Sequence, residues 1–206
     1  MKTAWIACLV VAFTACKKEQ EPPSSGDLLG VASGSPPAAA PAPAPMDSTT
    51  PPALLPMGIT WEDPPGWERV GKSNPMRKAT YRIPRAPGDS EDGELAVFYF
   101  GPGQGGGIEA NVDRWVKQFS DVPEDGVRRA DRSANGLRQH TVEIEKGTFS
   151  SGMPGGPTRP KPGFGLLGGI VEAPTGVYFF KMTGPSATVS AARPAFYKLL
   201  DSVKPS

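Results

Sequence analysis

The sequence predicts an α+β fold: a single domain, mainly an antiparallel β-sheet packed by two helices, behind a disordered Pro/Ala-rich tether. Three observations lead there. Apolar side chains alternate with period two in several stretches between residues 58 and 206, and Gly, Pro and Asn-Gly turn signals separate those stretches. Two other segments, 108–119 and 189–203, repeat apolar residues at helical spacing. Residues 22–56 are dominated by Pro, Ala, Ser and Gly, and lack the large apolar side chains needed to offset the entropy of ordering.

The first element is an address. Lys2 supplies a positive start, Ala4 to Ala15 form a short apolar run, and Phe13-Thr14-Ala15-Cys16 closes it. A run this short falls below the roughly 20 apolar residues that span a bilayer, so residues 1–15 read as a signal peptide. The four closing residues resemble the lipobox of bacterial lipoproteins. That resemblance implies cleavage before Cys16 and lipidation of its sulfur and new amine, with the membrane as partner through the lipid. The alternative is an ordinary secretory signal that leaves Cys16 as a free thiol. Cys8 has too few apolar residues before it to compete, and it leaves with the signal. If both assignments hold, the mature domain has no cysteine for a disulfide, a thiolate nucleophile or a zinc site. In a host with two membranes, Lys17 after the lipidated cysteine favours the outer one, on the sorting pattern of the lipoproteins it resembles.

Residues 16–57 read as the lipidated cysteine and a linker of polyproline II character. About 40 such residues reach ~125 Å fully extended and average ~35 Å as a flexible coil. They serve as a spacer, unless Leu28-Leu29 or Leu54-Leu55 forms a short docking motif. Residues 58–206, roughly 150 in number, then make one ordinary domain. The whole chain carries a formal net charge of +1, so it lacks an electrostatic footprint for nucleic acid. Arg128, Arg129 and Arg132 read as a solvated strand face.

Within the domain, short strands around 58–61 and Trp67 flank the turn Pro64-Pro65-Gly66. Residues 77–83 place Ala79, Tyr81 and Ile83 on a buried face and Lys78, Thr80 and Arg82 on an open one. Residues 95–100 are apolar on both faces, as in a central strand. The acidic loop 89–94 reads as a solvated turn; it lacks the ligand spacing of an EF-hand calcium site. Asn135-Gly136 joins strands 127–132 and 137–149 in a hairpin, and Pro174-Thr175-Gly176 joins 164–172 to 177–182. Residues 152–163 read as a mobile Gly/Pro loop. Ile108, Val112, Trp115, Val116 and Phe119 predict one helix. Val189, Ala192, Phe196, Leu199, Leu200 and Val203 predict the other, with a kink or restart near Arg193 because Pro194 lies inside it.

Residues 101–106 match G-x-G-x-x-G between a strand and a helix, but a hairpin follows where a dinucleotide fold needs a parallel strand with an acidic end. A flexible connection is the better reading, with an anion on the helix-start amides as the remaining one. Asn111, Trp115 and Gln118 share one side of the first helix, with Arg114 adjacent, a polar strip beside an aromatic that suits a peptide or a sugar. The competing reading sends Trp115 to the core and the amides to nearby backbone. His140, the one histidine, alternates with Val142 and Ile144 and has no cysteine or serine motif to make a zinc site or triad. It reads as a satisfied core or edge residue. No catalytic residue, cofactor or metal site is expected.

The order of elements from Trp61 to Val203 is similar to the PsbP-like α+β fold: the opening Trp61–Trp67 segment, the strand ending at Phe100 with its helix, and the closing strand leading to a final helix. That likeness implies a non-catalytic accessory or interaction protein and carries over no functional residue. The combined expectation is a lipid-anchored, non-enzymatic cell-envelope protein whose domain binds a protein partner or supports assembly at the membrane. A small-ligand or glycan-binding envelope module is the alternative.

Overall fold

A computed structural model describes residues 58–71, 74–151 and 159–206. The expected signal peptide, Cys16 and the expected tether lie outside the described residues. Eight strands form one antiparallel sheet: β2 (Glu68–Val70), β3 (Arg77–Ile83), β4 (Gly93–Tyr99), β5 (Phe119–Ser120), β6 (Val127–Ala134), β7 (Leu137–Ser151), β8 (Arg159–Ala173) and β9 (Gly176–Pro185). Their order is β2-β3-β4-β9-β8-β7, with β5 and β6 both paired to β7. A separate two-stranded ribbon pairs β1 (Ile59–Thr60) with β10 (Lys204–Pro205), so the start and end of the domain meet.

One helix packs on each face. On one side α2 (Ser186–Ser202) buries Val189, Ala192, Phe196, Leu199 and Leu200 against Tyr81, Leu95, Val97, Leu167, Phe180 and Met182. On the other, α1 (Ile108–Val116) buries Val112 and Trp115 against Val142, Ile144, Leu166, Ile170 and Phe179. Neither helix is long and apolar enough to cross a membrane.

The register of the sheet explains how two helices approach it closely. Consecutive residues of a strand face opposite sides, and β8 carries two glycines in succession. A side chain at Gly168 would meet the Trp115 ring at 2.6 Å, and one at Gly169 would meet Leu200 at 2.9 Å. Each helix thus seats a buried side chain, Trp115 of α1 and Leu200 of α2, on a bare backbone position. The Asn135-Gly136 turn forms as expected, with positive φ at both residues (51° and 76°), the geometry of a tight hairpin.

Four expectations change. The first helix ends at Val116 rather than 119, because Phe119 joins β5 and pairs with Phe149, ring centroids 5.1 Å apart. That cross-strand aromatic contact outweighs another half-turn of helix. The second helix runs unbroken through Pro194. Both Pro194 and Ser190, whose carbonyl loses its helical donor, are exposed, so water replaces the missing bond.

The loop expected at 152–163 is strand from Arg159 onward, while 152–158 lie outside the described residues. Pro160 and Pro162 are tolerated there because this stretch pairs with β7 alone; pairing with β9 begins at Phe164. Thr80, expected on an open face, is 3% exposed, and Arg77 of the same strand folds over it to donate to its hydroxyl at 3.2 Å.

Candidate functional site

Each face of the sheet must be covered or remain available. The 17 residues of α2 cover their face from β3 to β8, whereas α1 has nine residues and sits over β7, β8 and β9. Beside α1 the same face opens into a groove of about 670 Å³. Its lining comes from β2, β3, β4, β7, β8, β9 and the loop before β4, and from neither helix.

Alternation along the strands selects the lining. Thr80 of β3, Ala96 of β4, Lys181 of β9 and Gly168 of β8 lie side by side in register. Ala96 and Gly168 are too small to screen the lysine between them, and Trp115 occupies the space above Gly168. Lys181 therefore extends over the groove floor, where its ammonium bonds the Gln118 carbonyl and lies 5.3 Å from the Phe149 ring centre. Burial of the amine lowers its pKa to about 8, against a smaller opposing effect of Glu94.

The rim charges are matched. Arg77 meets Glu94 at 3.2 Å and stacks on Phe98, Arg82 meets Asp92 at 3.4 Å and also Glu68, and Lys161 meets Glu91 at 2.5 Å. No carboxylate pairs with Lys181 among the described residues. Phe98, Phe149 and Phe164 supply the apolar part of the wall.

The strip expected on the first helix does not face solvent. Asn111 is 3% exposed, and its amide donates to the carbonyls of Gly105 at 2.8 Å and Gly107 at 2.9 Å, tying the glycine loop to the helix. Trp115 is 7% exposed and meets Phe179 edge-on. Gln118 has left the helix and serves Lys181. Only Arg114 is open, and it bonds the Asn111 side-chain oxygen. Helical periodicity placed Asn111, Arg114 and Trp115 on one helix but carried it too far to Gln118, and the inward side of the helix is decided by what it packs on, here Gly168. The β4 strand before the glycine loop is antiparallel to both neighbours, which is not the setting of a dinucleotide fold.

Other polar residues act as ties between elements. Asp89, read as part of a solvated turn, instead accepts from the Thr188 amide at 2.9 Å and hydroxyl at 2.5 Å. It caps the start of α2, whose own cap position is Pro185 and offers no side-chain bond. The arginines of β6 are not merely solvated: Arg129 reaches Glu109 and Asp113 of α1, Arg132 reaches Asp201 of α2, and Arg128 reaches Glu143. Trp61 and Trp67 pack against the α2-side core, and the Trp61 indole donates to the Tyr81 hydroxyl at 2.8 Å.

His140 is held between two carboxylates, Nδ1 at 2.7 Å from Asp131 and Nε2 at 2.8 Å from Glu172. Burial opposes the charged ring, but the hydrogen bonds it donates to Glu172 and Asp131 outweigh burial and hold the pKa above the ordinary 6.5. The resulting stabilisation is fully present below the unfolded-chain value and is lost as pH rises through the raised folded value. His140→Gln is therefore expected to lose more stability at about pH 5.5 than at about pH 9 in urea titrations. An equal loss at both would contradict the bridge.

The fold so defined is an α+β domain in which one antiparallel sheet carries a helix on each face and an open groove beside the shorter helix. No protein-family model matches the sequence, and no curated protein does. Among solved structures, the chain is weakly similar to the cyanobacterial PsbP protein CyanoP from Synechocystis sp. PCC 6803, at 13% identity and a TM-score of 0.46, over 72% of this chain and 87% of that one. A protein of unknown function from Pseudomonas aeruginosa is similar at 12% identity and a TM-score of 0.40, over 70% and 95%.

Proposed function

We propose that the chain is a lipid-anchored, non-enzymatic protein of the bacterial cell envelope, and that its domain binds a protein partner through the open half of the sheet. The observation that carries this reading is the unequal cover of the two faces: α1 stops short and leaves a groove with an aromatic wall and a charged rim. Such a mixture of aromatic anchors inside a polar border suits a protein interface. The histidine that a hydrolase would need as base has both ring nitrogens occupied by carboxylates. The anchor rests on Phe13-Thr14-Ala15-Cys16, and Lys17 favours the outer membrane in a host with two membranes.

The test is in-cell crosslinking of the full chain, followed by capture and mass spectrometry. Cys16→Ser is expected to move the protein to the soluble fraction; retention in the membrane with unchanged detergent behaviour would remove the anchor. A specific envelope protein is expected with the anchored form and not with Cys16→Ser. Its crosslinks are expected to vanish in Thr183→Arg, which places a long side chain in the groove. A partner retained equally by Thr183→Arg would move the interface elsewhere.

A further inference from the structure

Among the described residues Lys181 is the groove cation that makes no salt bridge, and that charge specifies a ligand class. We propose that Lys181 is the seat for a carboxylate, supplied by an acidic side chain of the protein partner and flanked there by apolar or aromatic residues. This deepens the partner-binding reading and rests on it.

Arg77, Arg82 and Lys161 each face a carboxylate of the chain itself, at Glu94, Asp92 and Glu91. Lys181 is half-buried beneath Gln118 and the Phe149 ring, and the Gln118 side-chain oxygen is its hydrogen-bond partner. An ammonium has three donors and no acceptor, so Gln118 leaves capacity unused. A cation taken out of water without a counter-ion is costly, and an incoming carboxylate offsets that cost where a neutral group cannot. Arg82 holds two carboxylates, Asp92 and Glu68, while Lys181 holds none among the described residues, so a single Asp or Glu side chain placed at Lys181 completes its pairing. Half-buried Phe98, backed by the buried rings of Phe149 and Phe164, offers the apolar wall for a neighbour of that acid. The volume, about 670 Å³, accommodates a few residues of a partner segment.

The lowered pKa of Lys181, about 8, gives the site a pH signature. The amine is mostly charged at neutral pH and loses its proton as pH rises through that value. The charged groups facing it are Arg77 and Arg82 from β3, Glu94 from β4, Lys161 from β8, and Glu91 and Asp92 from the loop.

The experiment uses the full chain carrying Cys16→Ser and two end-blocked tripeptide probes, Phe-Glu-Phe and Phe-Gln-Phe, followed by calorimetry or by NMR of the lysine side chains. The acidic probe is expected to bind at least about tenfold tighter than its neutral isostere. That preference is expected to fall between about pH 7 and about pH 9 in the wild type and to persist in Lys181→Arg, whose guanidinium does not titrate. Lys181→Met is expected to bind both probes alike. Equal binding of the two probes by the wild type, no binding of the acidic one, or a charge preference that survives in Lys181→Met would each overturn the proposal. The comparison of probes on the wild type does not depend on any variant folding. If the carboxylate preference fails while partner crosslinks still respond to Thr183→Arg, the partner-binding reading stands and only the ligand class falls.

Discussion

Trp115→Ala is expected to lower the stability of the domain by about 3–5 kcal/mol, the range for removing a buried large aromatic side chain. The indole is 7% exposed and lies over Gly168, where the sheet presents no side chain, so its loss leaves a cavity that no neighbour is placed to fill. Gly168→Ala should also destabilise, by about 1–3 kcal/mol, because the new methyl would stand 2.6 Å from the ring and 2.7 Å from Val142. Together the two changes should cost less than their sum, since the methyl then enters the space the ring has left. Urea unfolding of the four proteins measures the coupling. Additivity within about 0.5 kcal/mol would show that the ring and the glycine are energetically independent. A small effect of Trp115→Ala would return the residue to the surface-binding role that helical spacing first suggested.

Glu143→Gln is the second large effect, expected at about 2–3 kcal/mol. Glu143 is 8% exposed on the α2 face of β7, and it gathers the Tyr197 hydroxyl at 2.5 Å, Arg193 at 3.0 Å and Arg128 at 3.0 Å. Strands β6 and β7 and helix α2 are thereby joined at one carboxylate. Burial alone would raise its pKa, but the bonds from Tyr197 and Arg128 and the charge of Arg193 outweigh burial and hold it below the ordinary 4.5. A depressed carboxylate contributes stability that is present above its unfolded value and lost as pH falls through the folded one. The gap between wild type and variant should therefore narrow on acidification below about pH 4.5. Both arginines are partly exposed, so solvent screening keeps the effect below that of a fully buried pair. A gap that stays constant to low pH would place the stability in shape rather than charge.

The comparison of sequence with structure separates two kinds of information. Local patterns read true. Alternation in 77–83 located β3 with its bounds, Asn135-Gly136 located the β6–β7 hairpin, and six apolar positions from Val189 to Val203 are all buried as their spacing requires. These signals depend on neighbours within a few residues, and a turn or an amphipathic period has the same meaning wherever it lies in the fold.

Properties that depend on distant partners were not legible. Asp89 caps a helix 99 residues away, and nothing near it in the chain marks that role. Phe119 continued a helical period but found Phe149 across a strand pair. Prolines at 160 and 162 read as a loop because the sequence does not say which strand edge is unpaired. The groove was missed for the same reason. Lys181 looks like any lysine in an apolar strand until register sets it between Ala96 and Gly168 and leaves it without a carboxylate.

By itself, then, the sequence determined the α+β class, the main strands and helices, and the apolar set that forms the core, because burial periodicity and turn chemistry are local. The tertiary structure alone decided which face stays open, which charges are matched, and that Trp115 packs on Gly168, because each of these depends on the register between strands far apart in the chain.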